Sequence, residues 1–359
     1  MARLRRVDCS GPGIRRRRRG KGFEYLDEDG RRVTEPSVIE RIRELAIPPA
    51  WDDVWICPYP TGHIQATGSD VAGRKQYRYH DKWRERRDRE KFDEMIDFAR
   101  ALPRLRRQVA KELELPGMPR EKVLACAARL LDRGFFRIGS EDYAEENDTY
   151  GIATMRKRHV TVEDDEVSFD YEAKGGARRV QSVGDPVVAG IVSELKRRRG
   201  GGEELLAYKN GRRWVDVKSA DINAYVKQAA GGDFSAKDFR TWSGTVLAAV
   251  ALAVSGMAAT SKSARQRAKA RAVRETARYL GNTPAVCRAS YIDPRVFDRY
   301  DGGLTISGAL PELMQDTAAW PDVQHAVEEA VIDLLANDRE AEGVERVRDL
   351  REDLSDVAA

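Results

Sequence analysis

Polar and apolar positions alternate with period two in several short stretches near the start of the chain. Phe23-Glu24-Tyr25-Leu26, Asp29-Gly30 and Arg32-Val33 together predict a hairpin. Val54-Trp55-Ile56-Cys57, His63-Ile64-Gln65-Ala66 and Gln76-Tyr77-Arg78-Tyr79 predict further strands between Pro and Gly turns. The period changes near position 83. From Trp83 to Ala110 the apolar residues (Phe92, Met95, Ile96, Phe98, Ala99) recur at helical spacing, and after Pro119 a second helix runs through Val123, Leu124, Ala127, Leu130 and Leu131 to Gly134. Residues 159–182 alternate again and predict a three-stranded meander, with Lys174-Gly175-Gly176 at the tip between its second and third strands. Asp185-Pro186 opens another helix that Gly200 stops, and from Ser219 onward the pattern is helical nearly to the end. The fold class expected is α+β. A small β-rich N-terminal domain over 22–82 precedes a larger, mainly helical domain over 83–310 that carries the meander.

Composition sharpens this picture. At 359 residues, 41% hydrophobic, the chain has material for two domains with cores. The longest apolar run, Val246 to Val254, is far short of the roughly 20 residues that cross a bilayer, so no membrane span is expected. The arginine-rich start lacks the apolar stretch of a secretory signal. Cys9, Cys57, Cys126 and Cys287 show no C-x-x-C spacing, so neither a disulfide framework nor a zinc site is expected, and the compartment is read as reducing and cytoplasmic. The net charge of +4 hides an asymmetry. Residues 1–21 hold nine Lys/Arg and one acid, which reads as a mobile basic arm, whereas 311–359 hold fourteen acids and four arginines, which reads as a solvated acidic helical tail. A basic arm before a mildly basic body points to a polyanionic partner.

The familiar nucleotide and metal signatures are missing: no G-x-x-x-x-G-K-[ST] loop, no dinucleotide fingerprint and no H-E-x-x-H. With four histidines and no acids clustered near them, no metal site and no cofactor are expected. What remains is a dispersed basic and polar set: Phe136-Arg137-Ile138-Gly139, Lys174 on its turn, Lys237-Asp238-Phe239-Arg240-Thr241-Trp242, Gly281-Asn282-Thr283-Pro284 and Ser290-Tyr291-Ile292. Each has a plain structural explanation. Arg137 could hold Glu141 or Glu145, Arg240 could be a stacked arginine, and Lys174 a solvated one. Asn282 could be a helix cap and Tyr291 a half-buried aromatic.

Taken in order, the set resembles the type IB DNA topoisomerases, in particular their small poxvirus-like bacterial branch. The stretch from Phe135 to Ile152 is similar to the segment with that family's first active-site arginine. Lys237 to Trp242 is similar to its second arginine box, and Gly281 to Tyr291 to its nucleophile box. The resemblance covers about residues 20–300. It implies an enzyme that relaxes positive and negative supercoils of double-stranded DNA through a 3′-phosphotyrosyl intermediate, as a monomer, without ATP or metal, in the cytoplasm at the nucleoid. It further implies Tyr291 as nucleophile, Arg137 and Arg240 on the nonbridging oxygens, and Lys174 as general acid. Asn282 stands where viral and eukaryotic members usually have histidine. Asparagine can donate a neutral hydrogen bond but cannot titrate, so no proton transfer is expected of it. Ser140-Glu141 replaces a viral lysine that helps read sequence, which leaves site preference open.

DNA-contacting candidates are Arg74, Lys75, Tyr77 and Tyr79, where cations and aromatics interleave, with Tyr143, Arg156, Lys157, Arg158 and Lys237. Tyr77 and Tyr79 could equally be core residues of a surface strand. The segment 262–278, with seven cations and one acid, is either a solvated basic helix face or part of the interface. The family implies that the two domains form a C-shaped clamp on the duplex. Two alternatives stand beside this reading. A tyrosine recombinase usually has histidine where Lys237 stands, and a noncatalytic DNA-binding protein would not need all five reactive side chains.

Overall fold

The structure, a computed structural model, describes residues 3–256, 261–313 and 320–346, with side chains undescribed at 142, 143, 312, 313, 320–323 and 346. The chain divides into two compact units, Met1–Phe92 and Asp93–Ala359.

The first unit is a five-stranded antiparallel sheet of order β2-β1-β3-β4-β5. Its strands are β1 (Ile14–Arg19), β2 (Gly22–Leu26), β3 (Asp52–Ile56), β4 (Ile64–Ser69) and β5 (Lys75–Tyr79), and a short helix, α1 (Pro36–Glu44), falls between β2 and β3. Ile14, Ile42, Val54, Ile56 and Ala66 form the core, so α1 supplies Ile42 to the sheet. The arginine run is the main correction to the sequence reading. Within the stretch expected to be a mobile arm, Arg15 to Arg19 pair with β2, and Ile14 and Arg15 also pair with β3. Alternation is present there, but its inward residue is Arg16. The Arg16 guanidinium donates to the carbonyls of Pro48 (3.1 Å) and Trp51 (2.5 Å) and stacks on Phe23. A cation satisfied by carbonyls is invisible to hydrophobic patterning.

The second unit begins within α2 (Asp81–Leu113), whose continuous register runs past the domain boundary expected at 82. Then follow α3 (Arg120–Gly134) and α4 (Glu141–Asn147). The meander is β6 (Val160–Glu163), β7 (Glu166–Ala173) and β8 (Ala177–Gly184), in the order β6-β7-β8. After α5 (Pro186–Arg197) comes a hairpin absent from the sequence reading, β9 (Ala207–Asn210) with β10 (Arg213–Asp216). Helices α6 (Ser219–Ala230), α7 (Ala236–Gly256), α8 (Lys262–Leu280), α9 (Pro284–Ser290) and α10 (Pro294–Asp301) follow. α3 and α7 are buried on most of their circumference, as helices at the centre of a layered core must be.

Beyond α10 lie β11 (Leu304–Thr305), α11 (Leu310–Leu313), α12 (Trp320–Ala336) and β12 (Glu345–Arg346), which pairs with β11. Here the acidic segment departs from a solvated tail, while 314–319 and 347–359 lie outside the described residues. Val327, Ala330, Val331, Leu334 and Leu335 are buried at helical spacing. Glu328 is buried too, and it shares Arg106 of α2 with Asp132 of α3 at 2.6–2.9 Å. The charge of the segment concealed an apolar stripe that docks it. No helix among the described residues is long and apolar enough to cross a membrane.

Candidate active site

The site is assembled where three chain reversals meet. At the end of α3, Phe135 adopts a left-handed cap (φ 55°) and Phe136 is fully buried against Phe169 and Tyr171, which projects the next residue, Arg137, away from the core. The Arg137 carbonyl accepts from Ile152 N (2.9 Å) and that of Ile138 from Ala153 N (2.8 Å), so the segment bearing Arg137 is stitched to a short 3-10 turn. This stitch needs two glycines. A Cβ on Gly151 would lie 2.3 Å from Gly139 N and 2.6 Å from Arg137 O, and Gly139 itself has φ 78°. Gly151→Ala is therefore expected to cost about 1–3 kcal/mol, as overpacked cores do, and to misplace Arg137. Urea unfolding together with DNA relaxation checks this, and unchanged stability would contradict the close approach.

The second reversal is the end of α8. Gly281 is left-handed (φ 61°), Asn282 N reaches Ala277 O (2.9 Å) and Gly281 N reaches Arg278 O (3.2 Å), a Schellman closure. The carbonyls left over at this helix end (the negative pole of its dipole) are taken up by three guanidinium groups. Arg179 of β8 donates to Arg278 O and Tyr279 O, Arg240 of α7 to Leu280 O (2.7 Å), and Arg137 to Gly281 O (3.0 Å). Arg240 also donates to Phe135 O, which links the ends of α3 and α8. The Asn282 backbone N–H thus helps to close α8, but its side chain caps neither neighbouring helix, since Thr283 is the N-cap of α9. Its Oδ1 instead accepts from Arg137. An arginine can only donate, so the amide must face it with oxygen and leave Nδ2 as a donor; that atom is buried and makes no hydrogen bond among the described residues. Arg137 thus holds neither Glu141 nor Glu145. Glu141 accepts from Ser219 N and Oγ instead.

The third reversal places Tyr291 just past α9. Gly244 and Thr245 of α7 seat its backbone: a Cβ on Gly244 would lie 2.5 Å from Tyr291 O, and Thr245 Oγ1 accepts from Asp293 N (3.1 Å). The Arg240 guanidinium lies 5.2 Å from the Tyr291 ring centroid. Burial by itself would raise the phenol's pKa. Arg240 and Arg137, with a smaller contribution from the Asn282 amide, overcome it and hold the pKa below the ordinary tyrosine value. Burial and the neighbouring Arg137 pull Arg240 down to about 10, so it remains a cation at neutral pH. Its Nε, like Asn282 Nδ2, is a buried donor with no partner among the described residues.

A cavity of about 290 Å³ lies over this junction, lined by Arg137, Lys174, Lys237, Arg240 and Tyr291 among others. Four of the five expected catalytic side chains therefore share one cavity, and the fifth, Asn282, bonds to Arg137. Lys174 reaches it from the β7–β8 tip, where Gly175 and Gly176 take positive φ. Sequence reasoning missed two further lining residues, Thr149 and Tyr150. Tyr150 N bonds Glu172 O (2.7 Å) close to the tip, and Arg156 lies over the Tyr150 ring.

The other DNA-contact candidates fall in separate places. Arg156, Lys157 and Arg158 flank the 3-10 turn before β6, with Arg156 near Glu203 and Arg158 near His159. Arg74 pairs with Asp70 (2.9 Å) on the turn before β5. On β5, the sheet's edge strand, Lys75, Tyr77 and Tyr79 all face solvent, with the two tyrosines stacked, so neither is a core residue. Tyr143 lies in α4, and its side chain is outside the described residues.

Comparison with known proteins gives two family matches. Residues 80–319, which include all five candidate catalytic residues, match the family model for the eukaryotic DNA topoisomerase I catalytic core. Residues 22–70 match that for the bacterial DNA topoisomerase IB N-terminal domain. A DNA topoisomerase 1B of Acanthamoeba polyphaga mimivirus is 32% identical over 288 residues, covering 78% of this chain and 85% of that protein.

Proposed function

Since this chain belongs to the type IB DNA topoisomerases, we propose that it relaxes positive and negative supercoils by cleaving one strand with Tyr291, letting the duplex swivel, and resealing. The Tyr291 phenol gives up its proton to water, its phenolate oxygen attacks phosphorus, an Oη–P bond forms, the P–O5′ bond breaks, and the departing oxygen takes a proton from Lys174 Nζ. Religation is the reverse. One phosphoester replaces another of similar energy, so the cycle calls for neither ATP nor a metal ion. All five residues come from one chain, so the reaction needs no second subunit.

The observation that carries this reading is the junction itself, a tyrosine whose pKa is lowered by two arginines, in a cavity that a lysine also lines. At an ordinary pKa near 10, only about 0.1% of a phenol is ionised at pH 7. The cationic surroundings raise that fraction and also suit the charge that develops at phosphorus. Arginine is fitted to that task because its planar fork is always charged. The buried donors Arg240 Nε and Asn282 Nδ2, without a hydrogen-bond partner among the described residues, support it as well.

The test is a supercoiled plasmid incubated with the protein in EDTA without ATP. Stepwise relaxation of both supercoil signs, with a trapped covalent complex mapping to Tyr291, is expected. Recombinant products, or a gel shift without relaxation, would replace the proposal by a recombinase or a noncatalytic binder. Lys174→Ala is expected to cleave an ordinary strand about 10²–10⁴-fold more slowly, the usual worth of a general acid. It should recover when sulfur replaces the bridging 5′-oxygen, because a thiolate leaves without a proton.

A further inference from the structure

We propose that Arg179 is a positioning residue for Lys174, holding the hairpin that carries it against the helix end from which the nucleophile segment departs. This rests on Lys174 as the proton donor. Cβ atoms built on Gly175 and Gly176 meet nothing within 4 Å, and Arg178 is spent on Asp170 inside the same hairpin. The ladder below the tip carries Lys174, and a contact that fixes that ladder bears on where the lysine is presented, as Tyr150 N on Glu172 O does from β7.

Arg179 fixes the ladder from the β8 side. It stands two residues into β8, opposite Tyr171. From there it spans 99 and 100 positions of sequence to donate to Arg278 O (3.5 Å) and Tyr279 O at the end of α8. Its Nε donates to Gln181 Oε1 (2.5 Å), and Gln181 Nε2 donates to Gly134 O (2.8 Å) at the end of α3. One arginine and one glutamine thus join the hairpin to both helix ends, the one that leads into Arg137 and the one that leads into Asn282. The guanidinium also lies flat against Gly281: a Cβ there would come within 2.3 Å of Arg179 Nη1. The close fit requires glycine at 281 for a second reason besides its φ of 61°. Arg179 sits beside Arg137, and burial lowers its pKa, so a like charge has been placed here at a cost. A residue serving stability alone could avoid that cost with a neutral side chain.

An Arg179 that acts through Lys174 makes the rate depend on the leaving group. The experiment is single-turnover cleavage by the full chain at a site first mapped on a labelled fragment, with oxygen or sulfur at the bridging 5′ position. Arg179→Ala is expected to slow the oxygen substrate up to about 10²-fold, the cost of a misplacement of roughly 1 Å, and the sulfur substrate much less. Arg179→Lys, which keeps one donor, should fall between Arg179→Ala and the parent. Arg179→Ala combined with Lys174→Ala should be no slower on oxygen than Lys174→Ala alone. The oxygen-to-sulfur ratio is taken within one preparation, so a lower fraction of folded protein does not change it. Equal slowing of both substrates by Arg179→Ala, with Lys174→Ala recovering on sulfur, overturns this inference and leaves the proton-donor reading intact. No recovery by Lys174→Ala overturns both.

Discussion

Tyr291→Phe is expected to abolish strand cleavage and relaxation while leaving DNA binding within a few-fold of the parent. The substitution removes one oxygen at the edge of the cavity. It leaves the ring over which Arg240 lies, and it leaves the backbone seat formed by Gly244 and Thr245. Stability should therefore hardly change. Loss of a nucleophile commonly costs 10⁴-fold or more, and Tyr150, a second tyrosine lining the cavity, has its pKa raised by burial and by Asp148, the wrong direction for a nucleophile. Relaxation assays and filter binding on the same preparation decide the matter. Residual covalent complex in the variant would mean that another residue attacks.

Arg240→Ala should be the next most damaging change, and it should leave a signature in pH. Removing one preorganised donor to a developing oxyanion costs about 10²–10³-fold. Arg240 also contributes the larger of the two arginine effects that lower the Tyr291 pKa. The phenolate is the attacking form, so a lower pKa means more nucleophile at neutral pH. Without Arg240 the pKa rises, and the ascending limb of the pH–rate profile moves to higher pH. The deficit should then shrink as pH approaches the ordinary phenol value. Single-turnover cleavage from pH 6 to 10 reads this. A uniform deficit across that range would leave Arg240 a role on phosphate but none on the phenol. The variant also strips Phe135 O and Leu280 O of a shared partner, so a loss of about 1–3 kcal/mol of stability is expected alongside, measurable by denaturant titration.

Much of this molecule was legible in its sequence. Alternation and helical spacing located the N-terminal sheet, the meander and the long helices, because their inward residues are apolar. Where the inward residue is charged, patterning failed: Arg16 turned a strand into an apparent arm, and Glu328 with its acidic neighbours masked a docked helix. The nine-residue α1 and the short hairpin β9–β10 offered too little periodicity. The boxes around Arg137, Arg240, Asn282 and Tyr291, which the structure brings to one junction, stood out because each has a recognisable local order. Arg179, Tyr150 and the Gly139–Gly151 contact did not, since each has meaning only through a residue distant in sequence. A pair of glycines within the first arginine box was the one available hint of the last.

The three arginines at the end of α8 are oriented by peptide oxygens, and among the described residues none of them has a carboxylate partner. Dipoles aim a cation without cancelling it. The junction accordingly presents three guanidinium groups with no carboxylate counterion among the described residues, a setting suited to the phosphate backbone of a DNA strand. Inorganic sulfate or phosphate should therefore inhibit more strongly than chloride at equal ionic strength, since a tetrahedral dianion can occupy the place of the scissile group.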